Sequence, residues 1–138
     1  MWERGRLESC HRRRMARHWA FLHGQIASKY RRKVNPLVPT RGVVEKGGKL
    51  YHKHCATCRA TDGMRDLKGV NDLSPSPGLL TYMLQTPTSF VVYLLWVISE
   101  GGQRFNTDML AFTDRLSERE LWTIIIFVHA GFPALARN

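Results

Sequence analysis

Between Ser117 and Pro133 the chain spells out a helix together with both of its ends. Ser117-Glu118-Arg119-Glu120 is a capping box: the serine hydroxyl accepts a backbone N–H three residues on, and the glutamate reaches back to the serine N–H. Leu121, Trp122, Ile125, Phe127 and Val128 follow as its core face, and Gly131-Phe132-Pro133 stops it. His129, near the end, is favourably placed against the helix dipole and needs no further role.

Two earlier helices read less completely. Pro36 and Pro39 frame a break, after which Val43, Val44, Gly47, Leu50 and Tyr51 fall at spacings of three and four. This helix runs into the pair Cys55 and Cys58. A loop follows, marked by Asp62-Gly63, Asn71-Asp72 and Ser74-Pro75-Ser76-Pro77-Gly78, and Leu79–Leu84 reads as a helical turn or two. Thr86-Pro87-Thr88-Ser89 reads as the next helix start, and Phe90–Ser99 is dense in apolar residues before Gly101-Gly102. Its β-branched residues leave a strand open on periodicity alone, but length and the terminal glycines favour helix. The loop Gln103–Thr113 carries Met109, and no internal repeat is present.

At 138 residues and 43% hydrophobic content the chain supplies one core and is not a wholly disordered protein. It has no run of 18 apolar residues to span a membrane as a helix. The net charge of +10 is uneven: residues 1–40 hold ten Lys/Arg against Glu3 and Glu8, whereas residues 41–138 are nearly neutral at +2. Residues 1–40 therefore read as a basic, poorly ordered tail or leader, with possible contact to a membrane surface. A secretory signal needs an apolar stretch of about 7–15 residues. The nearest match, Trp19–Leu22, is cut short by His23, Gly24 and Gln25. Three cysteines are too few for a disulfide scaffold; Cys10 stands alone, and Cys55-Ala56-Thr57-Cys58 is a local chemical device.

That device ends an amphipathic helix, with a methionine loop about fifty residues later, and the arrangement resembles a class I c-type cytochrome. In that family a helix bearing Gly and, four residues on, an aromatic precedes Cys-x-x-Cys-His; Gly47 and Tyr51 take those places. A Met-Pro-x-Phe loop follows there, and this chain reads Met109-Leu110-Ala111-Phe112. The family's last helix opens with Leu-Ser and carries aromatics towards the first; Leu116-Ser117, Trp122 and Phe127 match. The stretch Trp96–Gly102 is similar to the helix before the methionine loop in a bacterial subgroup. The resemblance covers Val43 to Pro133. It implies an all-α fold, a small cytochrome c-like bundle of three to four helices around a haem pocket, occupying residues 41–133 with a short tail at 134–138. It also implies single-electron transfer between redox protein partners rather than catalysis, and a periplasmic address.

By the same resemblance, Cys55 and Cys58 hold haem c covalently and Met109 is the distal iron ligand. A soft thioether and burial of the macrocycle raise the reduction potential. Position 59, where the family has the proximal histidine, is arginine, and the glycine after it is Ala60. A guanidinium has no lone pair to give a metal, so Arg59 is not an iron ligand. Three outcomes stay open: haem held by thioethers with iron bound by Met109 or water, a substitute histidine, or a haem-free relative acting as a structural or interaction module. His52 and His54 read as solvent-facing, Tyr93 and Trp96 as core, and Arg104 as a surface residue. A zinc site of His52, His54, Cys55 and Cys58 would crowd four ligands into seven residues, whereas such sites usually draw pairs from separated segments. No βαβ pattern surrounds the Cys pair to suggest a thioredoxin-like dithiol, and the basic tail lacks the interleaved aromatics of a nucleic-acid surface.

Overall fold

The computed structural model describes residues 16, 17, 19–21, 23, 24, 27–56, 91–107 and 109–134. Cys10, Cys58, Arg59, Ala60, the loop signals from Asp62 to Gly78, Leu79–Leu84, the expected helix start at Thr86–Ser89 and the tail 135–138 lie outside them. The described residues are all-α, without a strand. A four-residue helix α1 (Ser28–Arg31) precedes three longer ones, α2 (Arg41–His54), α3 (Val91–Glu100) and α4 (Glu118–His129), with a 3-10 turn at Gln103–Phe105. Among them no helix is long and apolar enough to cross a membrane.

Helix α2 starts where the proline-framed break ends. Thr40 is extended and its hydroxyl accepts the Val43 N–H at 3.3 Å, satisfying one of the unpaired donors of the first turn. His52, Lys53 and His54 then place cationic or ionisable groups against the negative end of the dipole. Gly47 lets α2 approach α4 closely: a β-carbon there would lie 2.9 Å from Phe127 Cβ and nearer still to the Thr123 carbonyl. Tyr51, one turn on, is fully buried, its ring 5.5 Å from Phe127 and 5.2 Å from Phe132.

Helix α3 settles the strand-or-helix ambiguity in favour of helix. Gly101 follows it with φ +68°, the left-handed conformation that ends helices and that glycine adopts without a Cβ penalty. Helix α4 has the full capping box: Glu120 N–H to Ser117 Oγ at 3.2 Å, and Ser117 N–H to Glu120 Oε2 at 2.8 Å. Its expected core face is buried, and so are Thr123, Ile124 and Ile126. The helix is enclosed on more than one side because α2 and α3 both pack on it, and Asn35 Nδ2 reaches the Trp122 carbonyl at 3.4 Å. Thr123 meets this burial by donating its hydroxyl to the Arg119 carbonyl at 2.7 Å.

The core extends across residue 40. Ala20 and Tyr30 are buried, and Phe21 packs edge-on against Tyr93 with ring centres 5.0 Å apart. Lys33 Nζ meets Glu118 at 2.7 Å, holding the basic segment against the start of α4 and lowering the Glu118 pKa by that hydrogen bond and charge.

Candidate functional site

Cys55 caps the end of α2, its N–H donating to the Tyr51 carbonyl at 2.7 Å. It is half-buried, and with Ala56 it packs against the core. The two histidines before it diverge, as residues two apart on a helix must. His52 is exposed, its ring 6.1 Å from both Tyr51 and Phe127. His54 is half-buried and meets the Phe112 ring edge-on at 5.9 Å. Among the described residues no three His, Cys, Asp or Glu side chains gather as metal ligands would.

The His54–Phe112 contact brings the methionine loop to the cysteine end of α2. That loop is tied to the end of α3 by main-chain bonds: Gly102 N–H to the Met109 carbonyl at 3.0 Å and Phe112 N–H to the Ile98 carbonyl at 3.1 Å. Gly101 is required here, since a β-carbon would lie 2.6 Å from the Met109 carbonyl oxygen. Met109 is half-buried and packs against the core; Leu110, in the family's proline position, is exposed. Trp96 is buried with its indole N–H on Glu100 at 2.9 Å, and Tyr93 is buried beside it, both as core residues. Arg104 is exposed, stacked over the Phe105 ring at 5.3 Å. His129, at the end of α4, has its pKa lowered by desolvation.

Arg17, which the sequence marked only as one of ten basic residues, is the unexpected member of this site. It is 8% exposed, and its Nη1 donates to Met109 Sδ at 3.6 Å across 92 residues of chain. Its Nε is buried without an acceptor, and Thr107 Oγ1 beside it is likewise unsatisfied. Gly102 makes room for both: a β-carbon there would strike the Thr107 hydroxyl and come within 3.3 Å of Arg17 Nη1. No local pattern advertises a contact of this range.

A haem held by thioethers fits two features of this arrangement, a cysteine at a helix end and a thioether loop folded beside it. Arg59 supplies no iron donor on the chemistry of its side chain alone. Comparison with protein-family models, curated proteins and solved structures gives no match to the chain.

Proposed function

We propose that this chain is a cytochrome c-like, periplasmic single-electron carrier, in which Cys55 and Cys58 would hold haem c covalently and Met109 would give its iron a ligand, serving redox protein partners. The observation that supports this reading most is the packing of His54 on Phe112, which sets the Met109 loop beside the helix end that carries Cys55. The α2–α4 crossing at Gly47, with Tyr51 against Phe127, supports it further. A haem bound there supplies a one-electron iron couple. Cys55 and Cys58 would hold the ring edge, Met109 Sδ would give a soft donor, and the aromatic core of Tyr51 and Phe127 would keep the helix end in place. Arg59 has no lone pair to give a metal, so position 59 would add no donor to that of Met109. The role is that of a carrier, not an enzyme.

A second reading has its own observation. Arg17 already directs a guanidinium N–H at the Met109 sulfur, and a cation on that atom favours a haem-free domain kept as an interaction module.

Expression with c-type haem-attachment machinery separates the two. The first reading expects covalent haem by mass spectrometry and a Soret band without sharp α and β bands. Arg59→His then sharpens those bands by restoring a nitrogen donor, and Met109→Ala removes any sulfur-to-iron charge-transfer absorption. Native chain without haem mass overturns the carrier reading and leaves the second.

A further inference from the structure

The basic segment leaves large apolar side chains in solvent: Trp19 is 53% exposed, Val34 81% and Val38 71%. Lys29, Arg31 and Arg32 are exposed among them, and residues 16–40 contain no acidic residue. Arg31 reaches back to the turn that carries Trp19, and Val34 and Val38 follow within seven residues of chain. The Arg31 guanidinium donates to the Gly24 carbonyl, and the turn before Gly24 stacks His23 on Trp19 with ring centres 4.0 Å apart. The surface is also fixed to the body rather than trailing from it, through buried Tyr30, the Lys33–Glu118 pair and the Asn35–Trp122 bond.

Beside its cations, the segment therefore offers apolar surface as well as charge. Single-stranded nucleic acid is bound by aromatic platforms, and valine offers no ring for a base to stack on. Cations interleaved with tryptophan and branched aliphatics match the boundary of an anionic bilayer, where phosphates lie just above the first acyl carbons. Tryptophan is favoured at that depth, with its ring apolar and its N–H wet. Residues 1–40 hold a net charge of +8 and residues 41–138 one of +2, so most of the chain's positive charge lies in the segment that carries these groups.

We propose that Trp19, Lys29, Arg31, Arg32, Val34 and Val38 form a docking face for an anionic phospholipid bilayer. The three cations meet headgroup phosphates while Trp19, Val34 and Val38 enter the headgroup–acyl boundary. This face serves the chain whether or not haem is attached.

The test uses the full-length chain with vesicles of phosphatidylcholine alone or mixed with phosphatidylglycerol. Binding is expected to the mixed vesicles only, to weaken with salt, and to shift Trp19 emission to the blue, a shift lost in Trp19→Phe. Each cation near such a surface contributes roughly five-fold in partitioning, so Lys29→Gln/Arg31→Gln/Arg32→Gln together should cost about a hundred-fold. Lys46→Gln/Lys49→Gln/Lys53→Gln, three exposed positions on α2, remove the same charge and should leave most of the binding. Val34→Ser/Val38→Ser should weaken it several-fold with the salt dependence kept. All are surface changes, and circular dichroism verifies the fold. Equal losses from the two triple variants, unchanged binding by the valine variant, or binding to an RNA oligonucleotide but not to vesicles would overturn the proposal.

Discussion

A guanidinium buried with one donor unpaired costs free energy that its other contacts must offset. Arg17 donates to a thioether, a weak acceptor, while its Nε has none. Leaving a buried donor unsatisfied costs about 1–3 kcal/mol, and more for a charged group, whereas a neutral hydrogen bond returns about 1 kcal/mol. Replacing a poorly paired buried cation by an apolar side chain of similar length is often stabilising. Arg17→Met should therefore raise the unfolding free energy by about 1 kcal/mol, seen as a higher urea midpoint at unchanged slope. A lower midpoint would mean that the sulfur contact and the fit of the guanidinium beside Gly102 outweigh the orphaned Nε. Residues were unevenly legible at this scale. Cys55 and Met109 stand out because their chemistry is rare and their spacing specific, whereas Arg17 is one cation in a basic run and its partner is set by tertiary packing.

Elements are where local sequence rules bind most tightly, and the three long helices follow them. The capping box of α4 and the glycine stop of α3 act within one helical turn, so a few adjacent residues suffice to reveal them, whereas the Thr40 cap of α2 was not read from the sequence. The face of α4 was only partly readable: Thr123, Ile124 and Ile126 are buried because neighbours arrive on other sides, and periodicity carries no information about how many neighbours there are. Gly47 joins the two kinds of information. Its helix propensity is poor, costing about 1 kcal/mol relative to alanine, yet the α2–α4 approach leaves no space for a β-carbon between Thr123 and Phe127. Gly47→Ala gains the propensity and loses the close approach. Overpacking costs about 1–3 kcal/mol, and here one of the opposing atoms is main chain, which yields less than a flexible side chain. The net expectation is destabilisation by about 1–2 kcal/mol, measured as a lower urea midpoint. The same change at Gly42, where a β-carbon meets nothing within 4 Å, should be neutral or stabilising and serves as the control.

At the scale of the whole molecule, the basic segment before residue 40 and the body share packed side chains. The segment's charge suggests a solvated tail, because ten cations dominate any reading by composition. Its few aromatic and small apolar residues act differently in three dimensions. Tyr30 is 5% exposed, Ala20 is buried with it, α1 packs against α3, and Phe21 lies on Tyr93 and Trp96. The segment thereby covers the side of α3 that leads to the Met109 loop, and the same strap delivers Arg17 to the sulfur. Isolated aromatics in a charged run show no periodicity, which is why this part of the core was not legible in the sequence. Tyr30→Ala tests the coupling directly. A buried aromatic cut to alanine typically costs about 3–5 kcal/mol when it belongs to the cooperative core. If the segment folds with the body, urea unfolding followed by tryptophan emission should shift as a single transition by about 3 kcal/mol, with protease sensitivity rising throughout the chain. If it docks on a body that is stable without it, the main transition stays in place and only sites before residue 40 become sensitive. The first outcome is expected, because Lys33 and Asn35 tie the strap to α4, the element on which α2 and α3 both pack.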